Sequence, residues 1–503
     1  MFYSKVAPED LNPKRLDSDF YRPEYLAVDK VLSKLNVCSL GSVGHFFTGP
    51  FGSKLPSNLY HDEGIPLFRV GNVGQFEVSG DNFAYLDEKL HEELKVSEVI
   101  PGDLLLVKAS VGEKICKVPE WLPKANITQH IIGIRPNSTQ DTDFISVFLF
   151  SKYGVSQLQR YSLGSIIQYL GITDARSVLL LDANSIAQKY IGDKVRQAEK
   201  LRAWAKESRD EVDNILNQLN LPINALPDMY SRISEDRLEY RLDPRPYRTH
   251  YLQLVDEIKQ IENSFISELA ELSSGCPVSS SDFVEKGDVP LVRIRNIGFN
   301  GFIGLDIGVT KEVYQESVQY QAKEGGIVLG MDGIFRTQFF LADELPMLVN
   351  QRVAMIHAHD IRPELLTHWL NRPEGQMQLN QWAVKTTVEH TSLADIGRVR
   401  IPRLERNFES ELADKLLNAR LAYRYSRFLI TAAKFLVEAL IEGQLTEQEL
   451  ITAQQQLEAG DNSADQAILA RLTTDGFEGD EQALFSDLEQ LYSLLEQAKD
   501  AEA

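Results

Sequence analysis

The chain has 503 residues, 43% of them apolar and 25% charged, and a formal net charge of −21. This length exceeds what one hydrophobic core supports and predicts two to four domains. The acidic balance excludes a surface that is basic throughout, so any contact with nucleic acid is expected to be a local patch.

Three widely spaced cysteines form neither a disulfide framework nor a zinc motif. No run of about 18 apolar residues is present, so no membrane span is expected. Together these features predict a cytoplasmic protein.

Two motifs occur twice and predict an internal duplication. The pattern apolar-Pro-Leu-apolar-Arg-apolar-x-Asn occupies positions 65–72 and returns at 289–296, which is 224 positions later. The pattern Arg-Leu-Asp-x-x-x-Tyr-Arg occupies 15–22 and returns at 241–248. Further strand patterns and a helical pattern follow in both copies, so the repeat covers whole domains.

The duplication predicts a mixed α+β fold. Two α/β modules in internal tandem repeat are separated and joined by two long antiparallel coiled-coil helices, with a pseudo-two-fold relation. Helical patterns are also expected at about 25–35, 143–159, 250–272 and 362–382. The predicted segments are an N-terminal arm with a short helix (1–36), the first module (37–181), a first long helix (182–220), a linker with the repeated arm (221–273), the second module (274–403), a second long helix (404–444) and an acidic tail (445–503).

Each long helix carries apolar residues at alternating gaps of four and three, which is an a/d seam. The seam from Leu412 to Leu440 returns 221 positions earlier, from Ile191 to Leu219, where Arg202 and Arg209 interrupt it. Each helix could pack on its own module, or the two could pack on each other. The matched spacing favours the second arrangement.

The C-terminal segment is strongly acidic. Residues 442–503 contain fifteen Asp and Glu against Arg471 and Lys499. This composition predicts a solvated tail. Two alternatives are an amphipathic helix at 483–498 that docks a partner, and an acidic mimic of DNA that covers a DNA-binding cleft.

The sequence lacks the motifs of common catalytic sites. No Walker A loop, Gly-x-Ser-x-Gly elbow, His-Glu-x-x-His, cysteine pair or Asn/Asp-Pro-Pro-Tyr/Phe motif is present. The prediction is a non-catalytic chain without a metal site.

The recurring polar residues predict DNA recognition instead. Arg pairs with guanine, Asn and Gln pair with adenine, and Lys, Ser and Thr hold phosphates. Positions that differ between the copies (Phe68/Val292, Gly71/Arg295, His130/Arg352) are the stronger candidates for base reading. Arg69 and Arg293 have an alternative structural role, tying down nearby carbonyls or a carboxylate. The predicted DNA-binding residues are Ser53, Lys54, Arg69, Asn72, Lys108, Ser110, Gln129, His130, Gln168, Tyr169, Arg293, Arg295, Asn296, Arg336, Gln351, Arg352, Lys385, Thr386 and His390.

These motifs resemble the DNA-specificity (S) subunit of type I restriction–modification systems over residues 10–440. The resemblance is carried by Gly-Pro-Phe-Gly-Ser-Lys-Leu at 49–55, both Pro-Leu-x-Arg-x-x-Asn stretches, Gly-Asp-Leu-Leu at 102–105, the Arg-Leu-Asp run at 15–23 and the order module–helix–module–helix. The second module departs from the family at 275–281, where the Gly-Pro-Phe-Gly-Ser pattern is missing, so its loop is expected to contact DNA differently.

The resemblance implies that each module is a target recognition domain for one half of a gapped target in double-stranded DNA. It implies that the long helices fix the gap and dock two methyltransferase (M) subunits, and that restriction (R) subunits complete the assembly. S-adenosylmethionine, ATP and Mg²⁺ are expected on those partners, with no cofactor on this chain. The alternatives are the specificity subunit of a methylation-only or other phage-defence complex, and a non-catalytic coiled-coil scaffold whose modules bind proteins.

Overall fold

The computed structural model of the chain describes residues 6–8, 11–13, 15–79, 82–109, 111–112, 114–137, 140–164, 168–224, 232–385 and 387–501. The chain forms two compact units. The first comprises Met1–Leu201 with Tyr425–Ala503, and the second comprises Arg202–Arg424. Each module therefore folds together with one part of each long helix.

The first module is built around two four-stranded sheets. One has the order β2-β9-β6-β7, the other β4-β3-β8-β5, and β1 pairs with β10. Within the second sheet, β3 and β8 run parallel. The strands are β1 (Val37–Ser39), β2 (Gly44–Thr48), β3 (Ile65–Phe68), β4 (Ala84–Leu86), β5 (Glu98–Val99), β6 (Leu104–Val107), β7 (Ile115–Lys117), β8 (Ala125–Ile127), β9 (Ile131–Pro136) and β10 (Leu179–Leu181).

The helices of this part flank the sheets and lead into the first long helix. They are α1 (Pro23–Leu32), α2 (Glu88–Glu93), α3 (Thr142–Phe150), α4 (Lys152–Tyr161), α5 (Ile172–Ala175) and the long α6 (Ser185–Asn217). Every residue of β6 is buried, as expected for a continuous Leu-Leu-Leu-Val run that is covered on both faces.

The second module repeats most of this topology, with one short edge strand on the opposite side of its second sheet. Its sheets have the orders β12-β21-β18-β19 and β13-β17-β14-β20, and β11 pairs with β24. The pair β14–β20 is parallel. The strands are β11 (Asn263–Phe265), β12 (Ala270–Ser274), β13 (Val284–Glu285), β14 (Val289–Val292), β15 (Ile297–Gly298), β16 (Gly301–Phe302), β17 (Ile307–Val309), β18 (Ile327–Gly330), β19 (Thr337–Phe339), β20 (Leu348–Val349), β21 (Val353–Ala358), β22 (Val384–Lys385), β23 (Glu389–His390) and β24 (Arg400–Pro402).

The corresponding helices are α7 (Thr249–Ile258), α8 (Ile266–Leu269), α9 (Lys311–Glu316), α10 (Pro363–Asn371), α11 (Pro373–Trp382), α12 (Leu393–Gly397) and the long α13 (Arg406–Glu442). The mixed α+β fold and the internal repeat are confirmed. The prediction of one helix over 250–272 is wrong, because the chain turns after α7 and supplies β11, α8 and β12.

The repeated Arg-Leu-Asp motif forms the same clasp in each unit. The hydroxyl of Tyr21 donates to the Arg15 carbonyl over 2.7 Å, and Tyr247 donates in the same way to the Arg241 carbonyl over 2.5 Å. Arg15 also donates to the carbonyl of Tyr161 at the end of α4. The motif therefore fixes each arm to its own module.

The long helices contact each other and also pack on the module in the second unit. Lys415 forms an ion pair with Glu211, and the Arg202 guanidinium lies 6.0 Å from the centre of the Tyr423 ring. The partner number falls as the residue number rises, so the two helices are antiparallel there. The core of this unit combines Val212, Leu216 and Leu412 with residues of the second module.

The acidic C-terminal segment is folded, and its interpretation as a solvated tail is wrong. It forms α14 (Glu447–Glu458), α15 (Ser463–Leu469) and α16 (Leu488–Ala501). Asp465 is fully buried and accepts hydrogen bonds from Tyr190, Lys194 and Tyr492 over 2.5–2.6 Å. Burial opposes ionisation of this carboxyl, but the Lys194 ammonium and the two hydroxyls outweigh burial and hold its pKa below the ordinary value.

Candidate nucleic-acid interface

Each module contains one parallel strand pair among its described strands, β3–β8 in the first and β14–β20 in the second. Predicted polar residues follow the carboxyl ends of these strands. In the first module Phe68 is opposite Ile127, and the amide of Thr128 donates to the Phe68 carbonyl over 3.1 Å. In the second module Val292 is opposite Val349, and the amide of Asn350 donates to Val292 over 3.0 Å. The motif Arg and the predicted Gln therefore leave the same edge of the sheet in each module.

Three backbone contacts extend this edge in the first module. The Lys108 amide donates to the His130 carbonyl over 3.0 Å, and the Leu170 amide donates to the Lys108 carbonyl over 2.9 Å. Ala109 and Tyr169 form an antiparallel bridge. The end of β6, the turn after β8 and the loop before α5 are thereby joined into one surface.

The second module has the same three contacts. The Met331 amide donates to the Arg352 carbonyl over 3.1 Å, and the Thr391 amide donates to the Met331 carbonyl over 3.0 Å. Asp332 and His390 form the antiparallel bridge. These contacts define a backbone framework common to both modules, called the shared framework below.

On the first module, the shared framework carries the first face, which consists of residues 52–54 with Gln129, His130, Gln168 and Tyr169. The Gln129 side chain accepts from the Gly52 amide over 3.3 Å and donates to the His130 ring over 3.2 Å. The Tyr169 hydroxyl donates to the Gln129 carbonyl over 3.1 Å. Ser53, Lys54, His130, Gln168 and Tyr169 are exposed.

Lys108 lies beneath the first face. Its ammonium donates to the Thr48 hydroxyl over 2.8 Å and to the Gln129 carbonyl over 2.7 Å. Burial lowers its pKa. DNA contact by Lys108 stays a prediction, and the observed role of its buried ammonium is to hold the turn that presents Gln129 and His130.

On the second module, the shared framework carries the second face, which consists of Asp332, Gln351, Arg352 and His390. It borders a cleft of about 850 Å³. Asp332 lies 2.6 Å from the His390 ring nitrogen Nδ1 and 3.4 Å from the Arg352 guanidinium. Gln351, Arg352 and His390 are exposed, so all three could reach a groove of DNA.

The two motif asparagines have structural roles. The side chain of Asn72 accepts from the Arg69 amide over 3.0 Å and donates to the carbonyls of Ser79 and Asn82. Asn296 accepts from the Arg293 amide over 3.0 Å and likewise donates to two carbonyls of its own turn. Both are buried. DNA contact by these two residues stays a prediction, and the observed role of both amide groups lies inside the turn.

The motif arginines are mostly occupied as well. Arg69 donates to the Asn82 carbonyl over 2.5 Å. Arg293 is paired with Asp306 over 3.3 Å, and burial together with the nearby Arg295 lowers its pKa. Arg295 is 60% exposed and also pairs with Asp306, over 3.0 Å. Of the base-reading pairs suggested by the sequence, Gly71/Arg295 and His130/Arg352 are exposed, whereas Phe68/Val292 is buried.

The remaining predicted residues lie around these faces. Lys385 is exposed and pairs with Glu389 over 2.8 Å. The Arg336 guanidinium lies 5.1 Å from the centre of the Phe299 ring, and its Nε is buried without a hydrogen-bond partner among the described residues. Ser110 and Thr386 lie outside the described residues.

Sequence reasoning missed two features of the faces. Asp332 is absent from the predicted residues, yet it joins Arg352 to His390, and its alignment with Ala109 marks it as a position that differs between the copies. Phe51, next to Lys54, is 77% exposed. It belongs to the motif at 49–55, but no pattern in the sequence indicates that its ring lies outside the core.

The charges of the two faces differ. Within the described ranges Lys54, Arg69 and Lys108 form no ion pair, whereas Arg295, Arg352 and Lys385 each face a carboxylate. A polyanion would therefore meet the exposed, unpaired ammonium of Lys54 on the first face, whereas Arg352 on the second face is already paired with Asp332.

Neither a metal cluster nor a membrane helix is found in the described part of the chain. No group of three or more His, Cys, Asp or Glu side chains there is placed to hold a metal ion. No helix in the described ranges has both the length and the apolar character needed to cross a membrane.

Comparison with solved structures finds S subunits of type I restriction–modification systems. The chain is similar to the S subunit from M. genitalium, with 12% identity, a TM-score of 0.42, and coverage of 82% of this chain and 96% of that chain. It is similar to the HsdS subunit from Thermoanaerobacter tengcongensis, with 13% identity, a TM-score of 0.28, and coverage of 82% and 97%. A chain from a structure of type I R-M system assembly and conformational transition shows 13% identity, a TM-score of 0.28, and coverage of 83% and 97%. No family model and no curated protein matches the sequence.

Proposed function

We propose that this chain is the DNA-specificity subunit of a type I restriction–modification system and that each module reads one half of a split target in double-stranded DNA. The observation that carries the proposal is the shared framework. The two modules hold three strand ends and loops by the same backbone contacts, yet they present different exposed side chains, such as His130 against Arg352. One scaffold with two sets of reading residues is suited to two different half-sites.

The remaining parts of the proposal concern partners. Two methyltransferase subunits dock on the long helices, restriction subunits complete the complex, and these partners carry S-adenosylmethionine, ATP and Mg²⁺. The chain itself contributes recognition and no chemistry. Each long helix begins in one unit and ends in the other, which supports a role in fixing the gap between the half-sites.

A methylome measurement tests this function. The chain is co-expressed with its neighbouring methyltransferase gene in a methylation-free host, and modified bases are mapped by single-molecule sequencing. We expect a split motif with a fixed gap that disappears when this chain is omitted. Exchange of residues 274–403 for the second module of another such subunit is expected to change one half of the motif only. Methylation that is absent, or that persists without this chain, would contradict the proposal.

A protein-binding scaffold is the second candidate, and the net charge of −21 favours it. A scaffold has no need of DNA, so it predicts no affinity for duplex DNA at any salt concentration. A DNA reader predicts binding that weakens steeply as salt rises, because each neutralised phosphate releases a counterion. Titration of the methyltransferase complex with duplex DNA at several salt concentrations separates the two.

A further inference from the structure

Three positions on the shared framework hold different side chains in the two modules. The bridge pairs Ala109 with Tyr169 in the first module and Asp332 with His390 in the second. The third position is His130 in the first module and Arg352 in the second, since their carbonyls accept equivalent backbone hydrogen bonds. The first triplet is therefore Ala109, His130 and Tyr169, and the second triplet is Asp332, Arg352 and His390.

Two positions near the triplets keep the same residue type in both modules. Gln129 and Gln351 precede the third position in both modules, and both follow the parallel strand pair. Asn72 and Asn296 make the same turn below the faces. The framework pairs Lys108/Met331 and Leu170/Thr391 also differ, but these four residues are buried, so the triplets are the differing framework positions that reach the surface.

The second triplet combines a cation with an anion. Arg352 is 72% exposed, and the Asp332 carboxylate lies between its guanidinium and the His390 ring, at 3.4 and 2.6 Å. A carboxylate near DNA is repelled by phosphates, so it suits the interface only where it accepts from a base amino group or orients a cation. Guanine offers two acceptors to Arg in the major groove, and cytosine offers an amino donor to a carboxylate.

The first triplet carries no carboxylate and no guanidinium. The His130 and Tyr169 rings lie 6.3 Å apart with an angle of 88° between their planes. Ala109 has only a methyl group, so nothing at that position can accept a hydrogen bond from a base. The two faces therefore suit different base pairs.

We propose, resting on the function proposed above, that these two triplets determine which half-site each module reads, and that the second triplet recognises a G·C base pair. Arg352 donates to guanine, and Asp332 accepts from the cytosine amino group while it holds Arg352 in place. His390 supports the carboxylate from the other side.

Selection from random duplex DNA tests the proposal. The full chain in complex with its methyltransferase is compared with Asp332→Asn, which keeps the shape and removes the charge, and with Asp332→Ala/Arg352→His/His390→Tyr, which installs the first triplet. Glu324→Gln is the matched control, because it removes one exposed carboxylate of the second module just before β18, at the opposite end of that strand from Asp332. The framework accepts the triple change in the first module, so folding should be retained.

For the wild type we expect a split motif with a G·C pair in one half. Asp332→Asn should reduce the preference for that pair by about tenfold to a hundredfold, since one good base contact discriminates to this extent. The triple variant should change that half and leave the other half unchanged. Glu324→Gln should select the wild-type motif.

Two results would overturn the proposal, and they differ in what else they affect. A wild type that selects a split motif, with both variants selecting the same motif, overturns the role of the triplet but leaves the DNA-specificity function intact. A wild type that selects no motif overturns both.

Discussion

At the residue scale, the repeat contains structural positions that keep one residue type and surface positions that vary. The sequence alone does not separate the two kinds of position. Asn72 and Asn296 recur because the same turn needs the same buried amide, whereas His130 and Arg352 occupy one position with different side chains. The sequence predicted residues that lie mostly on or beside the two faces, and their role in DNA binding stays a prediction. The sequence could not predict which were buried, because burial depends on strands that are distant along the chain.

The paired residues Asn296 and Arg295 provide a direct test of this distinction. Asn296→Ala removes a buried side chain that satisfies one amide and two carbonyls, so we expect a loss of about 2–3 kcal/mol in the free energy of unfolding. Arg295→Ala removes an exposed side chain and should leave stability within about 0.5 kcal/mol. Urea denaturation followed by circular dichroism measures both.

The same two variants should affect DNA affinity in the opposite order to their effect on stability. Arg295→Ala is expected to weaken DNA binding and to reduce the salt slope by about one. Folded Asn296→Ala protein should bind with the wild-type slope. An Asn296→Ala variant as stable as the wild type would contradict the structural role of this amide.

Asp465 predicts a pH dependence of stability. Its pKa is lower in the folded chain than the ordinary value of about 3.9. Its stabilising contribution is therefore fully present above the unfolded pKa and is lost as pH falls through the folded pKa. At pH 7, Asp465→Asn leaves the buried Lys194 without its anion, and we expect a loss of about 3–5 kcal/mol.

Denaturation at several pH values between 7 and 3 tests this expectation. The difference in the free energy of unfolding between wild type and Asp465→Asn should narrow as pH falls below about 4, because the carboxylate then takes up a proton in the unfolded chain before it does so in the folded chain. The double variant Lys194→Met/Asp465→Leu replaces both charges with apolar groups and should recover most of the loss at pH 7. A difference in the free energy of unfolding that stays constant with pH would show that the charge of Asp465 does not cause the loss of stability.

At the element scale, the sequence predicted one helix where each module has two. The apolar periodicity continues across Ser151 and Arg372 because both halves bury apolar residues in the same core. The break between the two helices of each module depends instead on a close approach of their backbones. Ser151 caps α4 by accepting from the Gly154 amide, and Pro373 begins α11 without needing an amide donor.

Gly154 and Gly375 permit this approach and can be tested directly. A Cβ atom on Gly154 would lie 2.1 Å from the Phe148 carbonyl oxygen, and one on Gly375 would lie 2.4 Å from that of Trp369. Either change to Ala forces the two helices apart, so we expect a loss of about 1–3 kcal/mol in stability. Gly476→Ala is the control, because no atom lies within 4 Å of its added carbon. Equal denaturation midpoints for all three variants would contradict this account.

At the scale of the whole molecule, the duplication was the strongest signal in the sequence. Two matched motifs were sufficient to predict two modules and two long helices, because a repeat constrains many elements at once. The acidic C-terminal segment has no second copy in the sequence, so no repeat constrained its interpretation. Its composition predicted a solvated tail, whereas its fold depends on Tyr190 and Lys194, which lie some 270 positions earlier in the chain.

The location of this segment argues against its role as a mimic of DNA. Its described hydrogen bonds to the rest of the first unit reach Lys189, Tyr190, Asp193 and Lys194 in α6, and Tyr425 in α13. Through these contacts the segment stabilises the parts of the long helices that lie in the first unit, and this structural role is called a brace. Deletion of residues 445–503 would expose the buried Lys194 and Tyr190, so we expect a large loss of stability.

Charge neutralisation distinguishes a brace from a mimic without unfolding the segment. Glu489, Glu496 and Asp500 are exposed on α16, so Glu489→Gln/Glu496→Gln/Asp500→Asn removes three charges and keeps the buried contacts. A brace predicts unchanged DNA affinity and an unchanged salt slope, because none of these carboxylates holds the fold. A mimic competes with phosphates, so its neutralisation would strengthen DNA binding, most clearly at low salt where electrostatic competition is strongest. Titration of the methyltransferase complex at several salt concentrations gives the answer, and tighter binding by the neutralised variant would require the brace to be abandoned as the segment's sole role.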